Sequence, residues 1–178
     1  MREVPENIRE LMSRLNDGDI PNDVAGSMRG AAEAFRDAGI HSYEKALNTE
    51  KGQYLVPFIV CLSFSAELLL KLLVFKKTGE IKKTHKLSEL FLSLDSDTKD
   101  DIINKLNERF LKNKKSTIID ESSEVNFHID LEGLIKKISL HDETFIDWRY
   151  FYESSGVLYV EFHFIFDLIE VLGPLSLC

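Results

Sequence analysis

The sequence predicts an all-α fold, and three observations carry that prediction. Apolar residues recur at three- and four-residue spacings along most of the chain, the period of one helix face. The longest apolar stretch, 54–75, is too long for a strand. Gly, Pro, Asn and Asp fall between the periodic segments, where helices stop and start. The 178 residues include 12 Phe and many Leu, Ile and Val, enough to bury roughly 70% of the surface that the unfolded chain exposes. Disorder, a collagen repeat and a disulfide-stapled miniprotein are excluded. There is no internal repeat, so the expected organisation is an N-terminal helical arm at 1–22 followed by one helical bundle at 23–178.

The elements follow in order. PENIRELMSRL places Pro5 at a first helical position and Ile8, Leu11, Met12 and Leu15 on one face. Gly18 and Pro21 then break the chain, and Asn22 or Asp23 caps a longer helix through Ala25, Met28, Ala32, Phe35 and Ala46. Gly26, Gly30 and Gly39 each weaken that helix by up to about 1 kcal/mol, so it must pack closely against a neighbour. The next helix tolerates Pro57 in its first turn and ends on Lys76, Lys77 and Gly79, cations and a left-handed stop where a C-terminus favours them. It is apolar nearly all round, which marks a central element with a face available to a second copy.

Thr84 is the expected cap of a helix carrying Leu87, Leu90, Phe91 and Leu94, and Ser96 that of a following helix running to Lys112. The stretch 112–130 is polar and without helical period, with a short extended piece at 117–119, and reads as a mobile loop. From Asp130, Leu131, Leu134, Ile135 and Ile138 resume the pattern. Ser139 and Asp142 are candidates for a second cap before Phe145, Ile146, Trp148 and Tyr152, which leaves one kinked helix or two over 131–153. After a turn at Ser154, Ser155 and Gly156, a terminal helix runs to Gly173 and Pro174. The β-branched and aromatic content of 157–166 also fits a strand, although no partner strand is evident.

Charge and composition narrow the function. With 22 Lys and Arg against 30 Asp and Glu, the net charge of −8 disfavours indiscriminate binding to nucleic acid or anionic membranes. Two cysteines without a CxxC pair, and an N-terminus of charges and proline, predict a cytoplasmic chain with no export signal. Neither 54–75 nor 157–172 reads as a membrane span, because each carries charged residues in its interior, Glu67 and Lys71 in the first. His41, His85, His128, His141 and His163 are scattered without HExxH, so no metal is expected. No cofactor is expected either, since GxGxxG and GxxxxGK[ST] loops are absent.

Three polar signatures sit in apolar helical surroundings: Glu67 with Lys71, His85, and Arg149 with Glu153. Buried charge must be paired, and the structural reading is two i,i+4 pairs, or a bridge from Glu67 to Arg149, with His85 capping or packing. The functional reading makes Arg149 a ligand for phosphate or RNA, its guanidinium presenting a fork of donors. Between positions 71 and 86, six lysines face one glutamate, an electropositive rim that Lys105, Arg109, Lys112, Lys114 and Lys115 extend.

The order of these motifs, AELLLKLL, THKLSELF and then WRYFYE before a turn and an apolar terminal helix, resembles the HEPN superfamily over roughly 23–172. The resemblance implies an up-and-down four-helix bundle with additional short helices, usually a homodimer, in prokaryotic defence, toxin–antitoxin or nucleotide-linked systems. It also implies a metal-independent ribonuclease in members that carry Arg, four to six residues, then His. Arg149 matches the Arg, but Ser154, Ser155 and Gly156 stand where the His would be. The resulting expectation is a non-catalytic binding or assembly module whose polar cluster of Glu67, Lys71, His85, Arg149 and Glu153 is mainly structural, with RNA or a nucleotide as its candidate ligand. Two alternatives stand beside it. One is a ribonuclease with an atypical base such as His163; the other is an antitoxin or scaffold whose first and last helices cover a partner protein.

Overall fold

The computed structural model describes residues 24–116, 128–149 and 160–177. Among these residues every regular element is helical: α1 Val24–Thr49, a 3₁₀ turn Gly52–Tyr54, α2 Leu55–Thr78, α3 Leu87–Leu92, α4 Ser96–Ser116, α5 Leu131–Ser139, α6 Thr144–Arg149 and α7 Phe162–Leu175. The all-α expectation therefore holds. The arm at 1–22, the loop piece 117–119 and the turn 154–156 lie outside the described residues.

Helix α2 is the axis of the molecule, in contact with α1, α3, α6 and α7, while α4 packs on α7 and α5, and α5 on α3. Its composition explains this position. Leu62, Ala66, Leu70, Leu72 and Val74 are all at most 1% exposed, although they point in different directions around the helix. By length and apolarity α2 resembles a membrane span, yet 72% of its most apolar window is buried against the rest of the chain. Pro57 lies in its first turn. Gly79, at φ 73°, closes its C-terminus by donating its N–H to the Phe75 carbonyl at 2.7 Å.

The close approach that the glycines of α1 require occurs at Gly39. A Cβ there would stand 3.3 Å from both the Cys61 Cβ and the Phe58 carbonyl, so the two backbones nearly touch. Ala32 and Ala46 continue the seam, and Ser65 Oγ donates to the Ala32 carbonyl at 2.8 Å, satisfying a buried hydroxyl across it. Gly30, in contrast, faces open space.

Two cap expectations need correction, and two open alternatives are resolved. Thr84 does not cap α3, whose N-cap is Lys86, without a side-chain cap bond; the Thr84 hydroxyl instead accepts from the Lys86 N–H at 3.2 Å and donates to Glu89 at 2.6 Å. Ser96 is the first residue of α4, and Asp95 accepts the Thr98 N–H at 2.7 Å in the capping role. The span 131–149 is two helices, because turn 140–143 separates α5 from α6. Over 160–166 the chain becomes helical from Phe162, which rules out a strand there, since burying Phe164 and Ile165 together with Leu168 and Ile169 takes a helical period.

Candidate functional site

Glu67 and Lys71 lie one turn apart on α2 and are 1% and 8% exposed. Their order, acid before base at i,i+4, lets the two side chains meet: Lys71 Nζ stands 2.8 Å from Glu67 Oε1. Burying either charge alone would cost several kcal/mol, so each is the condition for the other's burial. The expected intrahelical pair is thus present.

His85 joins it from another part of the chain. The segment 81–86 has no regular structure and leads into α3, and His85 Nδ1 donates to the same Glu67 oxygen at 2.9 Å. A carboxylate only accepts, which fixes the hydrogen on Nδ1 and leaves Nε2 as the second edge of the ring. His85 is 61% exposed at its side chain while Glu67 is 2% exposed at its own. The cluster thus joins a buried carboxylate to an imidazole that water can reach. Glu67 Oε2 is buried and has no hydrogen-bond partner among the described residues.

The lysines of the proposed rim divide. Lys71 is consumed inside the cluster, Lys76 Nζ donates to the Ser176 carbonyl at 2.9 Å, and Lys77 pairs with Asp95 at 3.3 Å. Asp95 is held down at a pKa of about 2, first by the Thr98 N–H and hydroxyl and then by Lys77. Lys86 is 3.7 Å from Glu89. Lys82 and Lys83 have no ion pair among the described residues, and both are within three positions of His85. Arg109 does not belong to the rim: its Nε and Nη2 both reach Asp167 Oδ1 at 3.0 Å. Lys105 and Lys112 are exposed on α4, and the side chains of Lys114 and Lys115 lie outside the described residues.

Arg149 is the last residue of α6, a helix packed on the same α2 that carries Glu67 and Lys71. Its side chain, and the whole of Glu153, lie outside the described residues. His163 is exposed, beside Phe162. Of the five residues expected to cluster, the structure brings Glu67, Lys71 and His85 together.

The first turn of α3 is held by a contact that sequence reasoning did not find. Asp142, in turn 140–143, accepts the Ser88 N–H at 2.8 Å and the Ser88 hydroxyl at 2.6 Å. Ser88 is the second residue of α3, so a carboxylate 54 positions away caps a helix whose own N-cap residue has no capping side chain. The adjacent His141 is 1% exposed and stacks on Phe164 with ring centroids 5.7 Å apart. Burial lowers its pKa below the usual histidine value. Asn107 was also missed; it clamps both backbone groups of Ile129, at 2.8 and 2.9 Å, and so ties the residue before Asp130 to α4. Asp167 did leave a signal in the sequence, as an acid in an apolar helix that requires a partner.

A cleft of about 240 Å³ opens elsewhere, between α1, α2 and α7, over Ala32, Leu69 and Ile169. None of Glu67, Lys71 and His85 lines it, so this cleft and the polar cluster are separate features. Among the described residues no three His, Cys, Asp or Glu side chains gather as metal ligands. Compared with known proteins, the chain matches no family model, and no curated protein or solved structure is significantly similar to it.

Proposed function

We propose that this chain is a HEPN-like module, an up-and-down four-helix bundle that works as a homodimer, and that it binds RNA or a nucleotide phosphate without cleaving it, in a prokaryotic defence or toxin–antitoxin setting. One observation carries the reading: Glu67 is buried, takes hydrogen bonds from Lys71 and His85 on one oxygen, and holds His85 with its second ring edge outward. Lys82 and Lys83, three and two positions before His85 on the same irregular segment, carry no ion pair among the described residues, so the coil that presents the imidazole also carries two ammonium groups for an anion. The absence of a histidine at 154–156 supports binding rather than the superfamily's cleavage.

The test is fluorescence anisotropy with a labelled single-stranded RNA, at low and physiological salt. Binding should weaken with salt, and Lys82→Glu with Lys83→Glu should lose at least tenfold in affinity. A folded wild-type protein that binds no RNA or nucleotide at low salt contradicts the reading.

A ribonuclease with an atypical base is favoured by one specific feature. Glu67 orients His85 as a carboxylate orients a general base, with Nε2 left to take a proton. On that reading RNA is cut in the presence of a chelator, and His85→Gln abolishes the cutting while leaving the fold intact.

A further inference from the structure

The position of His85 depends on α3, and α3 is a weak element by itself. Six residues are too few for a stable helix in water, and the first turn has no cap of its own. One of its orphan N–H groups, that of Ser88, is met instead by Asp142, whose two carboxylate oxygens take the Ser88 N–H and hydroxyl. Two residues before α3 begins stands His85, at 2.9 Å from Glu67. A displacement of α3 by an ångström or two would therefore break that bond.

The clasp has a titratable neighbour. His141 precedes Asp142 in the same turn and is 1% exposed, between Phe164 of α7 and the Thr144 hydroxyl, which is 3.4 Å from its Nδ1. Among the described residues the charged groups facing it are Glu161 before α7, Lys137 on α5 and Asp142 itself. Lys137 is occupied with Glu161 and lies over the Phe164 ring.

We propose that Asp142 is the positioning residue of the Glu67–His85 cluster, and that the buried imidazole beside it makes this clasp open in acid. This rests on the reading of that cluster as the functional site. Burial disfavours the charged imidazole more than Glu161 and Asp142 favour it, and Lys137 opposes it further. A proton is accepted most readily when the ring turns out to water. The backbone of turn 140–143 then moves, Asp142 leaves Ser88, and α3 carries His85 away from Glu67. Above the ordinary histidine value of about 6.5 the clasp is closed; as pH falls below it, the clasp opens.

The experiment uses the full chain without any RNA, so its outcome is independent of whether RNA is the ligand. The hydrogen-exchange protection of the Ser88 amide and the ring nitrogens of His85 and His141 are followed by NMR from pH 7.5 to 5. Ser88 should lose at least tenfold in protection with the midpoint of the His141 ring titration, and His85 should lose its fixed Nδ1–H form with it. His141→Phe, which stacks on Phe164 but does not titrate, should keep Ser88 protection within about threefold throughout. Asp142→Ala should release His85 already at pH 7.5, and Asp142→Asn, which retains an acceptor oxygen, should restore it in part. Where His141→Phe does not fold, the wild type decides. Unchanged Ser88 protection down to pH 5, a midpoint that follows His85 instead of His141, or a fixed His85 in folded Asp142→Ala overturns the proposal.

Discussion

The seam between α1 and α2 and the clasp around α3 are built on opposite principles. Along the seam, two long helices meet through Gly39, Ala32 and Ala46, and the Ser65 bond to Ala32 ties off one buried hydroxyl. Shape complementarity spread over many small contacts holds it. Around α3 a six-residue helix is anchored by Leu87, Leu90 and Phe91 below and by a few directional bonds above, chiefly Asp142 to Ser88 and His85 to Glu67. The first arrangement is insensitive to pH and tolerant of small losses. The second concentrates its stability in ionisable groups, which is where a protein keeps the parts that respond to ligands and protons.

The largest effect separating the two regions is expected from the charge pair beneath the clasp. Lys71→Ala leaves Glu67 buried with the weaker His85 bond alone, and should cost about 3–5 kcal/mol in denaturant unfolding. A loss under about 1 kcal/mol would mean that the pair is solvated and the cluster open. On the seam, Gly39→Val forces apart two backbones already in contact and should cost about 1–3 kcal/mol by overpacking. Gly30→Ala, on the same helix but facing open space, should gain up to about 1 kcal/mol. Thermal unfolding of this pair of variants separates close approach from mere helix propensity.

Ser88→Ala should cost about 1–2 kcal/mol globally, measured by urea unfolding, because it removes a charge-assisted bond while leaving the backbone N–H to Asp142. The smallest effect belongs to Asp95, which is exposed. Its folded pKa of about 2 lies below the usual 3.8, so its contribution is present above pH 3.8 and is lost as pH falls toward 2. Asp95→Asn should flatten the acid limb of the stability profile over that window and leave the neutral region nearly unchanged.

The seam was legible in the sequence and the clasp was not, for a physical reason. Helical period, small residues on one face, and an acid–base pair at i,i+4 are local relations, so α1, α2 and the Glu67–Lys71 pair follow from spacing alone. The left-handed stop at Gly79 follows in the same way. His85 was recognisable as an odd polar residue, but which group it meets depends on where a coil segment lies in space. Asp142 and Ser88 are 54 residues apart and each has an ordinary local explanation, a turn acid and a helix serine. Arg109 likewise reads as one more basic surface residue until Asp167, an acid in an apolar helix, is brought to it. The caps of α3 and α4 were displaced by two residues and one residue for a related reason, since Thr84, Ser96 and Asp95 are all chemically able to cap and tertiary packing selects among them.

His85 is an oriented, water-accessible group held by buried Glu67, and the proposed function has it meet a phosphate together with Lys82 and Lys83. The most direct measurement is long-range ¹H–¹⁵N NMR of the histidine rings, with and without a short single-stranded RNA. The free protein should give His85 as the Nδ1–H form, and RNA should shift its Nε2 and the Lys82 and Lys83 resonances together. A His85 ring that exchanges freely between tautomers, or one that is unmoved while RNA is bound elsewhere on the chain, would contradict it.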